Sequence, residues 1–330
     1  MNKEGVKGIG IYTASIRVTV MLTCLFFIFR VHATVNYEQV SIGNPGNAND
    51  PLTGLGRVDY LYKIGKYEVT IGQYTEFLNA VASTDPYALY TTTMESALNV
   101  AGIARSGSSG SYTYSVINNQ GSSAERPIGF INWFDVARFA NWMSNGQPIT
   151  GVEDETTTED GAYALNGATS GASVEKRAIN PNTGASPTFY IPLENEWYKA
   201  AYYDGFGGYY RFATQSNEVP GNTVGSSPNQ ANFISDETGY PVTHSFAYSS
   251  VDNYLTNVGA FTSSASFYGT FDQTGSMWEW TTNEAGDFLS LPIHGGAYTS
   301  SPFVMVSSYS LYSVLGVLAP NVGMRLASQT

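Results

Sequence analysis

The chain has 330 residues, a formal charge of −12, 34 glycines, 24 tyrosines and only 13% charged residues. This composition excludes long coiled helices and disorder, and it points to a loop-rich globule packed on aromatic rings. With one cysteine and three histidines in the whole chain, sites built on thiolate or imidazole clusters are excluded as well.

The first 33 residues read as a secretory signal. Lys3, Lys7 and Arg17 precede an apolar run from Val18 to Phe29 that is too short to span a bilayer, and Val31-His32-Ala33 suits cleavage before Thr34. This segment carries four basic residues and one acidic one, so its removal takes the formal charge from −12 to −15. A chain that acidic lacks the footprint for nucleic acid or an anionic membrane. Cys24 leaves with the signal, so the mature chain is expected to be cysteine-free, with His244 and His294 as surface or hydrogen-bonded structural residues. Secretion to an extracytoplasmic space follows as the expected localisation.

Residues 34–57 form a polar lead-in rich in Gly, Asn, Pro and Asp, expected to be extended with turns. Val58 to Val69 predicts two short strands broken at Gly65. Thr70 and Gln73 then have the spacing of a capping box, and Tyr74, Phe77, Leu78 and Val81 share one helical face. A second helix is predicted from Asn132, with Asp135 at its third position and Val136, Phe139, Ala140 and Met143 as its stripe. Gly146 and Pro148 stop it. A third runs from about Pro192 to Tyr203, with Glu194 and Glu196 in its first turn and Trp197, Ala200 and Ala201 facing inward.

Between these helices lie two long polar segments, near 83–125 and 150–187, expected to be surface insertions in one domain spanning 58–330. The carboxylates between Glu153 and Asp160 are expected on a solvated loop face. After Tyr209 only short runs and turns remain, so the fold class is α+β with few short helices.

These segments arrive in an order that resembles the sulfatase-modifying factor, or formylglycine-generating enzyme, family. Glu68-Val69-Thr70 with Gln73-Tyr74 and Phe77 is similar to its opening motif, and Arg126-Pro127 through Asn132-Trp133-Phe134-Asp135 to its second. Leu193-Glu194-Asn195-Glu196-Trp197 is similar to the next. Gly275-Ser276-Met277-Trp278-Glu279-Trp280, His294-Gly295-Gly296-Ala297-Tyr298 and Gly323-Met324-Arg325 are similar to the closing strands. The resemblance implies a C-type lectin-like fold.

The family's oxidases hold copper(I) on a cysteine pair, and the matching positions here fall at about Ser300 and Met305. Neither residue replaces a thiolate, so no copper and no catalytic residue are expected, and the run from Thr299 to Ser310 is expected as a surface strand. The resemblance also implies calcium, at Gly275, Met277 and Glu279, with a second set at Asn232, Phe233 and Asp236. Arg325 is expected in a structural pair, and the five tryptophans as core anchors.

The leading expectation is a secreted pseudoenzyme, calcium-stabilised, that binds an extracellular protein or glycan through the region from Gly295 to Leu318. Two readings stay open beside it: an oxidase or related enzyme with altered chemistry, and a retroelement-diversified ligand-display protein.

Overall fold

The computed structural model describes Met1, residues 34–283 and residues 285–330. The predicted signal segment lies outside the described residues. Ala33–Thr330 forms one compact unit, and among the described residues no helix is long and apolar enough to cross a membrane.

The lead-in is more ordered than its composition suggests. Gln39–Ile42 forms β1, which pairs antiparallel with β2, Tyr62–Gly65. Only the first of the two strands predicted between Val58 and Val69 therefore exists. Beyond Gly65 the backbone turns to other partners: the Val69 N–H reaches the Met324 carbonyl, and the Gly65 and Lys66 carbonyls accept from Arg325.

Helix α1, Ile71–Val81, begins at the capping box read from sequence. Thr70 Oγ1 accepts from the Gln73 N–H, and Gln73 Oε1 accepts from the Thr70 N–H. Tyr74, Phe77, Leu78 and Val81 are all buried. The insertion that follows carries a one-turn helix α2, Thr93–Ser96, and a hairpin of β3, Ile103–Ser106, with β4, Thr113–Val116.

Helix α3, Trp133–Ser144, has its own capping box from Asn132 and Asp135. At its end the Gly146 N–H bonds the Met143 carbonyl and the Gln147 N–H bonds the Trp142 carbonyl. That is a Schellman closure, and it needs the positive φ of 81° at Gly146. Phe77 and Phe139 meet edge to face at 5.3 Å, locking α1 against α3.

Helix α4, Glu194–Tyr202, starts where Glu196 Oε2 accepts from the Leu193 N–H. Beyond it the short strands gather into a sheet ordered β7-β6-β5-β8: β5 is Trp278–Trp280, β6 Ser290–His294, β7 Leu311–Val314 and β8 Val322–Gly323. β7 is an edge strand. The last strand, β9, Ala327–Gln329, returns to β2, so β2 lies between the first strand and the last. Trp133, Trp197 and Trp280 are fully buried, with Trp142 and Trp278 nearly so.

The acidic stretch corrects the sequence expectation. Glu153 and Glu159 are buried, and Arg138 of α3 reaches Glu159 from within the core. Its Nε and Nη2 bond the two Glu159 oxygens at 2.7 and 3.0 Å. Asp160 pairs with Arg177 at 2.6 Å. Of the acids in this stretch, only Glu155 is exposed, with Asp154 and Asp160 half-buried.

Candidate functional site

The residues expected at metal positions split into two sets with different surroundings. Glu279 is fully buried in β5, and both its carboxylate oxygens are committed. Arg325 Nε donates to Oε2 at 2.5 Å and Nη2 to Oε1 at 2.7 Å, while Trp197 Nε1 donates to Oε2 at 2.7 Å. Its charge already has a counter-ion. Arg325 also donates to the carbonyls of Gly65 and Phe271, at 2.9 and 2.8 Å. This is the structural pair expected for Arg325, and it leaves both Glu279 oxygens already accepting hydrogen bonds.

Gly275, with φ of 78°, pairs in a parallel bridge with Asn232, and Met277 is buried beside it. Asn232 Nδ2 donates to the Tyr254 carbonyl, and its buried Oδ1 has no protein partner. The Phe233 carbonyl already accepts from Asn222 Nδ2 at 3.3 Å. Asp236 is exposed in the turn that Ser235 and Gly239 close. The second set therefore brings one open oxygen to the interior and places its carboxylate at the surface. No group of three or more His, Cys, Asp or Glu side chains suited to a metal occurs among the described residues.

Ser300 and Met305 take structural work. Ser300 Oγ accepts from the Ala297 N–H at 2.9 Å and closes the turn after Gly295-Gly296. Met305 is buried with Phe212, Ala231, Phe233 and Val306. A Cβ on Gly296 would come within 2.5 Å of Met305 Cγ, so glycine there lets the methionine lie against the backbone. The run from Thr299 to Ser310 is consequently not the surface strand expected. It holds a single 3₁₀ turn, Pro302–Val304, and the exposed strand is β7, just downstream.

Between the lead-in, α4 and this region lies a groove of about 370 Å³. One wall is Leu52, Thr53 and Leu55, held down because Tyr198 Oη donates to Asp50 Oδ2 at 2.6 Å and accepts from Thr53. The opposite wall is the segment from Ser307 to Ser310 together with Tyr312. Glu194 and His294 also line it, joined at 2.8 Å from Nε2 to Oε1. The carboxylate accepts from Nε2, and the buried Nδ1 has no protein partner. The His294 ring stacks on Trp197, 5.3 Å between centroids and 25° between planes.

Sequence reading missed this pair. Glu194 stood out as a first-turn acid and His294 as the start of a glycine motif, and across a separation of 100 residues nothing signals their meeting. In and beyond the groove wall, several large apolar side chains are exposed. Phe303 is 76% exposed and Tyr312 65%, with Leu311, Val314, Val317 and Leu318 also exposed.

Residues 47–330 match the model of the sulfatase-modifying factor enzyme 1-like domain, the FGE-sulfatase family. The chain belongs to that family. As an FGE-sulfatase member it has the mixed, loop-rich C-type lectin-like fold seen above. Treponema denticola variable protein 1 superposes with a TM-score of 0.51 at 15% identity, over 90% of this chain and 96% of that one. CarF gives 0.49 at 17% identity, over 89% and 99%. PvdO from Pseudomonas aeruginosa gives 0.45 at 14%, over 89% and 92%. At such identities the likeness to the Treponema protein is one of fold alone. No curated protein matches the chain.

Proposed function

We propose that this FGE-sulfatase member is an exported binding protein that performs no oxidation, with its contact surface at the groove and along β7. The observation that carries the reading is the character of that surface. Tyr309, Tyr312, Ser308 and Ser310 present rings and hydroxyls beside the Glu194–His294 pair. Rigid tyrosines with small hydroxyl residues are the adaptable contacts that recognition surfaces favour. Carboxylate, imidazole and hydroxyls together suit a polyhydroxylated ligand such as a glycan, with tyrosine faces for its apolar side.

The positions of the family's cysteine pair support the same reading. Ser300 closes a turn and Met305 fills a hydrophobic cluster, so both serve the fold. Calcium enters this reading only through the open Asn232 oxygen, since Glu279 is taken by Arg325.

The test is a glycan array probed with the mature protein and with Tyr312→Ala. Binding that is lost in the variant supports the reading. Copper-dependent oxygen consumption with a cysteine peptide of the sulfatase type would overturn it.

A second reading, display of a diversified surface, is favoured by the exposed side chains of Phe303, Leu311, Tyr312, Val314, Val317 and Leu318. A template repeat and a reverse transcriptase beside the gene would support it, and their absence would remove it.

A further inference from the structure

A separate cavity of about 690 Å³ lies among the N-terminal segment, α1, β4 and the loop before Pro127. Its charge is one-sided. Glu38, Glu68, Glu76 and Glu125 line it, together with Tyr37, Tyr67 and Tyr114, and no Lys, Arg or His is among its described lining residues. Of the four acids only Glu38 forms an ion pair among the described residues, with Lys66 at 2.8 Å. Glu68 is 1% exposed; its Oε2 accepts from Ser276 Oγ at 3.0 Å and its Oε1 has no hydrogen-bond partner. Burial, with Asp272 and Glu279 nearby, pushes the Glu68 carboxyl well above the usual carboxylate range against the opposing pull of Arg325. A carboxylate desolvated in this way is stabilised by a cation close at hand.

Thr34, Val35 and Asn36 also line this cavity, and the chain just after Thr34 is clamped. The Val35 N–H donates to Gln147 Oε1 at 2.7 Å and Gln147 Nε2 donates to the Val35 carbonyl at 3.0 Å. Gln73 Nε2 donates to the Asn36 carbonyl at 2.9 Å.

We infer that the cavity is a cation site whose ligand is the α-ammonium of Thr34, the group that cleavage after Ala33 creates. The inference rests on the export reading above. Cleavage hydrolyses the Ala33–Thr34 peptide bond, adding water to give a carboxylate on the released peptide and an amine that takes up a proton. An amide nitrogen, uncharged and set in the uncut chain, thus becomes a positive charge at the edge of four carboxyl groups. Maturation itself completes the site. The titratable groups that line the cavity with Thr34 are Tyr37 and Glu38 from the N-terminal segment, Tyr67 and Glu68 after β2, Glu76 on α1, Tyr114 on β4 and Glu125 in the loop, with Lys66 paired to Glu38. Behind Glu68 stand Asp272, Glu279 and Arg325. The field of the lining acids that are ionised holds the proton on the nitrogen, so the stabilisation is present at neutral pH and lost as pH rises through the raised α-amino pKa.

Two measurements separate the premises. Intact mass of the exported protein reads the cleavage position, and an N-terminus other than Thr34 would sink the export boundary and this inference together. The chain released at Thr34 from a cleavable fusion then gives the α-amino pKa by ¹⁵N NMR. It is expected at least about half a unit above the ordinary value of about 7.7–8.0. Glu76→Gln and Glu125→Gln, both at solvent-reached positions, should each lower it, and N-acetylation should reduce Tm at pH 7 while leaving it unchanged at pH 10. An ordinary pKa that neither variant moves overturns the inference and leaves the export reading intact.

Discussion

Arg325 and Glu279 face each other with both side chains fully buried, joined by two hydrogen bonds through one guanidinium fork. Trp197 shares the Glu279 carboxylate through its indole N–H and lays its ring against His294. The ion pair at the centre of the domain and the floor of the groove are thus connected through a single tryptophan.

Removing one member of the pair strands a buried charge. Glu279→Ala is expected to cost about 3–5 kcal/mol, a typical penalty for breaking such a pair. Replacing both partners by apolar residues of similar volume should cost much less than two single losses combined. Urea unfolding of the two single variants and the double variant checks this, and simple additivity would contradict it.

Trp197→Phe keeps a ring but loses the bond to Glu279. A hydrogen bond to a charged group contributes about 1.5–3 kcal/mol, so a loss of that order is expected. Chemical shifts of His294 should move in the same variant, because its stacking partner changes. An unmoved histidine would show that the groove floor does not depend on the core pair.

The buried carboxyls set the pH profile. Burial, with Asp85 nearby, pushes Glu153 up to about 8, and burial raises Asp135 to about 7 and Asp272 to about 6. Their pKa values are higher folded than unfolded, so the folded state binds more protons in this window. Their contribution to stability is therefore expected to be full below the ordinary carboxylate range of about 4 and to fall as pH rises toward 8. Both Glu153 oxygens lack a hydrogen-bond partner, so Glu153→Gln should raise Tm at pH 8 and flatten the profile. A tenfold difference in proton affinity between the folded and unfolded chain is worth about 1.4 kcal/mol. A profile that rises from pH 5 to 8 would refute the assignment.

Calcium should matter little. With Glu279 paired to Arg325 and Asp236 at the surface, chelator is expected to leave Tm unchanged. A ligand that binds the folded state at 100 times its Kd adds about 2.7 kcal/mol, so a large drop on chelation would reveal a tight site.

What the sequence made legible was local. The two capping boxes, Thr70 with Gln73 and Asn132 with Asp135, and the Schellman glycine at 146 are each written within a few residues. Thr70→Ala should cost about 0.5–2 kcal/mol for the same local reason. Arg325 was also legible as a structural pair, because a lone arginine late in a strand pattern usually makes one. Long-range partners were not legible. Glu159 looks solvated until Arg138, 21 residues earlier, is seen to enter the core beneath it. The run from Thr299 to Ser310 looks like a strand because nothing nearby tells that Met305 will pack on Phe212 and Phe233. β1 was hidden for the same reason, since its register comes from β2.

The position of β2 between the first strand and the last has a consequence in time. The ribosome makes β2 long before its partner Ala327–Gln329, and Arg325 comes only just before that strand. Neither the three-stranded sheet nor the central ion pair can close while most of the domain is being synthesised. Until those last residues are made, the nascent polypeptide lacks the contacts that join its two ends, and the domain cannot be finished piecemeal.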